Sequence, residues 1–176
     1  DKSLVTPAEQ EQYQELSSKF QVRGVPSVFL ADSKGRPFHF QSGYSGQKAD
    51  QWVADIRSKK ETLEKRDAAF EKAASSEGAD KAKALDEAIS VVDAKVAVAF
   101  YGDSVEQILE LDAAGLGEKY AAIKRTVDFE AKLAELTGNK LEVEKISSQL
   151  DALIEETKPD AEAAQMALFT RSQRLF

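Results

Sequence analysis

The residues that do chemistry in enzymes are thinly spread in this sequence. There is no cysteine, which removes disulfides, thiolate nucleophiles and cysteine metal sites from the polypeptide. A single histidine, His39, leaves no material for a histidine-based zinc site or a Ser-His-Asp arrangement. Acidic groups are plentiful, but their positions suit other work. Asp32 and Asp103 fall where turn and cap chemistry explain them. The pairs Glu142/Glu144 and Glu155-Glu156 fall in helical segments, where a solvated face accounts for them. Arg171 and Arg174 near the C-terminus oppose a helix dipole. Trp52 belongs to a core stripe, and His39 to the outer face of an edge strand. Tyr44, next to Gly43, either rims a groove or packs over a sheet. One position remains, Val25-Pro26, where a proline without a backbone donor stands at the start of an apolar strand.

The elements around that proline are legible. Thr6-Pro7-Ala8-Glu9 combines a cap, a first-turn proline and a glutamate three residues after the cap. It opens a helix through Tyr13 and Leu16 to Phe20, with Gly24 as a stop signal. Ser27–Ala31 reads as a strand whose continuous apolar run predicts burial on both faces. Asp32-Ser33-Lys34-Gly35 is a turn signal. A second strand follows, with Phe38 and Phe40 on one face and His39 and Gln41 on the other. Pro37 places that strand at an edge or starts it. Gly43-Tyr44-Ser45-Gly46 breaks the chain before a helix carrying Ala49, Trp52, Val53 and Ile56, expected to run past Leu63.

From about residue 58 the sequence is helical throughout. Phe70, Ala73 and Ala74 mark one face; Ala82, Leu85, Ile89 and Val92 the next. Val96 and Phe100 occupy a shorter segment, and Asp103-Ser104 caps a helix bearing Val105, Ile108 and Leu109. After breaks at Gly115 and Gly117, one stripe joins Tyr120, Ile123 and Val127 to Leu133 and Leu136. A second runs through Leu141, Ile146, Leu150, Leu153 and Ile154. The short Gly138-Asn139 link favours antiparallel neighbours. Pro159 is expected to start a last helix with Ala164, Leu168 and Leu175 inward. The Leu-Asp pairs at 85, 111 and 150 keep no steady period, so a regular repeat is not established.

The order helix, Val22-Arg23-Gly24-Val25-Pro26-Ser27, strand, Asp-Ser-Lys-Gly turn, strand, glycine, amphipathic helix resembles the C-terminal half of the thioredoxin fold. The likeness covers about residues 10 to 57, with Ser27 where that family usually has threonine. It implies a fold of mixed class: residues 1–57 as the C-terminal half of a thioredoxin-like domain (helix, β-hairpin, helix), and residues 58–176 as an antiparallel α-helical array. It implies a cis Val25–Pro26 bond, with Val25 and Pro26 forming the loop that meets an extended substrate. The thiol chemistry of the family needs a Cys-x-x-Cys motif at a helix start. That half is expected upstream of residue 1, so the chain is read as a fragment of a thiol–disulfide oxidoreductase, itself unable to perform the exchange. The alternative is a non-catalytic scaffold whose helical array, with its faint likeness to tetratricopeptide-type hairpins, binds a protein partner. The expected partners are a protein or peptide thiol or disulfide, and either the missing half or a second copy along the sheet edge. No cofactor is implied. The parent is expected to be bacterial and exported, periplasmic or secreted, although no targeting signal is visible in this chain.

Charge and hydropathy bound the rest. A net charge of −7 and a pI near 4.9 argue against nucleic acid or an anionic membrane surface as the main partner. No apolar run approaches the ~20 residues that span a bilayer.

Overall fold

The computed structural model describes residues 5–20, 22, 24–111, 115–138 and 143–174. It is mostly helical, with a small two-stranded antiparallel sheet. The expected positions Arg23, Asp112, Asn139, Leu141, Glu142 and Leu175 lie outside the described residues, as do the side chains of Glu144, Ile146, Arg171 and Arg174. Two compact units divide the chain, Asp1–Leu116 and Gly117–Phe176. The boundary expected after residue 57 falls inside the first.

Helix α1 (Pro7–Lys19) starts as its sequence predicts. The Thr6 N–H donates to Glu9 Oε2 at 2.8 Å and the Glu9 N–H to Thr6 Oγ1 at 3.3 Å, with Pro7 in the first turn. Strand β1 (Ser27–Ala31) pairs with β2 (Pro37–Ser42), Phe29 opposite Phe40 and Leu30 opposite His39, with a bulge at Leu30/Ala31. Between them the Asp32 carboxylate accepts from the N–H groups of Lys34 and Arg36 at 2.9 and 3.0 Å. Gly35 supplies the positive φ of 74° that the turn requires. Full burial of β1 on both faces is not observed. Ser27 to Leu30 are half-buried and Ala31 is exposed, because β2 is the strand's one sheet neighbour among the described residues.

Helix α2 (Ala49–Ser58) does not run past Leu63. A tight turn in which the Lys59 N–H donates to the Ile56 carbonyl ends it, and α3 (Lys60–Ala74) starts at the next residue. No glycine or proline marks the break, so residue-type signals miss it. Trp52 on α2 is half-buried. The buried residues of α3 are Arg66, Ala69 and the expected Ala73; Phe70 is half-buried with its ring stacked on Tyr101 at 5.9 Å, and Ala74 is exposed. It packs on α4 (Gly78–Ile89), whose Ala82, Ala84, Leu85, Ala88 and Ile89 are buried. Alanines on both sides let these two helices approach closely. α5 (Ala94–Phe100) and α6 (Gly102–Leu111) complete the unit, with Val96, Ala97, Val105 and Ile108 in the core.

The second unit contains α7 (Leu116–Gly138), α8 (Val143–Thr157) and α9 (Ala161–Arg174). Its core is Phe129, Leu150, Leu153, Ala163 and Ala167, flanked by Leu133 and Ile154. Pro159 stands just outside α9. Asp160 caps the helix instead, its Oδ1 accepting from the Ala163 N–H at 2.8 Å while Oδ2 accepts from the buried Thr126 hydroxyl at 3.1 Å. That cap turns the inward face to Ala163 and Ala167, and Leu168 is exposed.

Candidate functional site

The hairpin that carries Val25-Pro26 is fixed at its turn by a buried cation. Arg66 of α3 is 1% exposed and spends its whole donor fork. Nη2 reaches Asp32 Oδ2 at 2.9 Å, and Nε and Nη2 both reach Asp67 Oδ1. Nη1 donates to the Tyr101 hydroxyl at 3.1 Å and to the Arg36 carbonyl at 3.4 Å. The Tyr101 hydroxyl in turn donates to the Pro37 carbonyl at 2.6 Å. Burial alone would raise the Asp32 pKa. The Arg36 N–H and guanidinium, the Lys34 N–H and Arg66 outweigh it and bring the carboxyl down to about 2. Burial pushes the Tyr101 phenol up, against the pull of Arg66.

At the other end of the hairpin lies Val25-Pro26. The peptide bond between them is cis, as the resemblance implies. Val25 is 78% exposed. The Ser27 hydroxyl donates back to the Gly24 carbonyl at 2.7 Å, and the Gly43 N–H to the Pro26 carbonyl at 2.9 Å. That last bond sets the phase of the ladder. In an antiparallel pair the inward and outward residues alternate, so Val28 and Leu30 point their backbone groups at β2, and Ser27 and Phe29 point theirs away from it. Tyr44 follows Gly43, whose φ is 79°, and is 63% exposed, its hydroxyl held by the Gln47 carbonyl. Tyr44 thus sits on the loop joined to Pro26 and does not pack over the sheet.

One face of the hairpin carries an aromatic cluster. The Phe29 ring lies 4.6 Å from Phe20 and 4.6 Å from Phe40, and Phe20 lies 4.4 Å from Phe100 of α5. A cavity of about 270 Å³ opens on this face, lined by Phe20, Phe29, Phe40 and Val96, with Ser27, Ser42 and Asp93 as its polar members. His39 is on the opposite face. Burial, then the Lys59 ammonium, lowers its pKa against the opposing pull of Asp55.

The other candidates remain structural. The Asp103 carbonyl accepts from the Gln107 amide within α6, and Glu156 pairs with Lys132 at 2.7 Å. Among the described residues no group of three or more His, Cys, Asp or Glu is placed to hold a metal ion, and no helix is long and apolar enough to cross a membrane. Sequence reasoning missed Arg66 and the aromatic cluster. Arg66 looks like one more charge in a charged helix, although its spacing of three and seven from Ala69 and Ala73 places it on the inward face. No family model, curated protein or solved structure matches the chain.

Proposed function

We propose that residues 1–57 are the peptide-docking half of a thioredoxin-like thiol–disulfide oxidoreductase, and that residues 58–176 are a helical extension that stabilises it or selects its partners. The observation that carries this reading is the outer edge of β1, where the Ser27 and Phe29 backbone groups face away from β2, directly after the exposed Val25. An uncharged strand edge of this kind takes another strand. The strand we assign to it belongs to a half that supplies the Cys-x-x-Cys motif, since this chain has no cysteine. Val25 and Pro26 then form the turn against which a protein or peptide thiol or disulfide lies. Such chemistry fits an oxidising, exported setting.

The absence of cysteine also favours a second reading, a non-catalytic scaffold that binds proteins through its helices. Native and denaturing mass measurements on the protein from its source separate the two. A companion segment or polypeptide with two cysteines separated by two residues supports the redox reading, and a companion without cysteine supports the scaffold. Amide hydrogen exchange tests the edge itself. In the isolated chain Ser27 and Phe29 are expected to exchange faster than Val28 and Leu30, and to slow in the assembly. Equal protection of all four in the monomer would sink the assignment.

A further inference from the structure

We propose that His39 is a proton-operated latch between β2 and α2. The neutral imidazole lets α2 lie closed against the strand, and the protonated one releases it at the Lys59 joint. The inference goes beyond the redox reading and holds for a scaffold equally.

The placement of charges on α2 carries it. The half-buried residues of that helix are Trp52, Asp55 and Ile56, and the half-buried Lys59 is its C-cap. Offsets of three, four and seven from Trp52 put all four on one face, so Asp55 and Lys59 belong to the face that α2 turns inward. There they pair, Lys59 Nζ lying 3.0 Å from Asp55 Oδ1. His39, half-buried on β2, meets the same ion pair. One carboxylate therefore stands beside two basic side chains, and it balances them while the imidazole is neutral. Protonation leaves two cations to one anion in a place partly closed to water, which is unfavourable. The neighbouring elements do not offset this. β1 carries no ionisable residue. α3, which packs on β2, turns in Arg66, a further cation whose bonds go to Asp32, Asp67 and Tyr101.

The element that gives way is α2. None of its residues is fully buried, and Val53 is 40% exposed. Elements that open locally are those with few buried contacts. The layer beneath is imperfectly satisfied as well. Gln41 shares the His39 face of β2, and its Oε1 is buried without a hydrogen-bond partner among the described residues. Opening to water recovers the cost of that unpaired acceptor. The direction follows from linkage. Burial, then Lys59, against the pull of Asp55, holds the His39 pKa below the 6.5 of the free group. The open form thus binds the proton more readily, and acid favours opening. The segment 43–48 that leads into α2 is bonded to Pro26 through the Gly43 N–H at 2.9 Å, so the release reaches the chain beside Val25.

The chain has one histidine and one tryptophan, so each side of the latch reports separately. In the full chain the His39 ring is titrated by NMR from about pH 8 to about pH 5. The Trp52 emission maximum and amide protection across α2, corrected for intrinsic exchange, are followed over the same range. Trp52 is expected to shift to longer wavelength and α2 to lose protection with the His39 midpoint, while α4 stays protected. His39→Gln should abolish the Trp52 transition. Lys59→Met should move the midpoint to higher pH and Asp55→Asn to lower pH. A His39 titration that leaves Trp52 and α2 unmoved would overturn the inference. So would a Trp52 transition that survives His39→Gln, or midpoints that Lys59→Met and Asp55→Asn shift in the same direction.

Discussion

Asp32 illustrates how one side chain ties this molecule to pH. Its carboxylate, 12% exposed, accepts from two backbone N–H groups and two guanidinium groups. Burial opposes ionisation, yet these donors hold the folded-state pKa near 2, against 3.8 for the unconstrained group. A carboxyl with a depressed folded pKa stabilises the fold fully above its unfolded value, and the contribution disappears as pH falls through the folded one. The stability at stake is roughly 2 kcal/mol. Denaturant unfolding at pH 5, 4, 3 and 2 is therefore expected to show a loss of that size concentrated between pH 4 and 2. Asp32→Asn should flatten the step, and an unchanged step in that variant would assign the acid sensitivity to other carboxylates. The turn role of Asp32 was legible in the sequence, because Asp-x-x-Gly has a local mechanism. Its partnership with Arg66, thirty-four residues away, was not, since nothing local to either residue encodes it.

Between elements, the same contact makes α3 a brace for the hairpin. A two-stranded sheet is marginal in water by itself, and β1 has only β2 beside it among the described residues. What fixes the pair is Arg66, bonded to the turn, and Tyr101, bonded to Pro37, with the Arg66 guanidinium 5.9 Å from the Phe38 ring. Arg66→Met keeps the aliphatic stem and removes the fork. Breaking a buried pair costs about 3–5 kcal/mol, and Asp32 keeps Arg36, which puts the expected loss near the lower end, about 3 kcal/mol. Amide exchange should place the loss in β1 and β2, and Asp32→Ala in the same chain should deepen it, because Lys34 and Arg36 then lose their acceptor. An Arg66→Met protein with an undisturbed hairpin would show that the brace lies elsewhere. Element by element, the sequence was informative where periodicity or capping is local. The α1 start and both strands follow from such signals, but on β2 the expected outer residues His39 and Gln41 are half-buried and Phe40 is exposed. The sequence failed where a tertiary contact sets the phase: α3 buries Arg66 one turn before the half-buried Phe70 and exposes Ala74, and the Asp160 cap sets α9 on Ala163 and Ala167 in place of Ala164 and Leu168.

At the scale of the whole molecule, the two units differ in how much loss each can absorb. The second has about 60 residues, a size at which a domain buries only about 60% of its unfolded surface and is marginal. Its core is small, with Phe129 its one buried aromatic besides Tyr120 among the described residues of the unit. Phe129→Ala removes a fully buried ring, at a cost of about 3–5 kcal/mol. That equals or exceeds the roughly 3–5 kcal/mol that a core of this size supplies. In the first unit Ile108 is just as buried, and Ile108→Ala costs a similar ~2–5 kcal/mol. There the loss is spread over a larger body in which α3, α4 and α6 pack together and Arg66 adds its own bonds. Phe129→Ala is therefore expected to abolish amide protection through α7, α8 and α9 at 25 °C. Ile108→Ala should lower the unfolding midpoint of its unit while α4 and α6 remain protected. Retained protection in α7–α9 of the Phe129→Ala protein would mean that the second unit draws stability from beyond its own core, and the division at Leu116 would then describe packing density and not cooperativity.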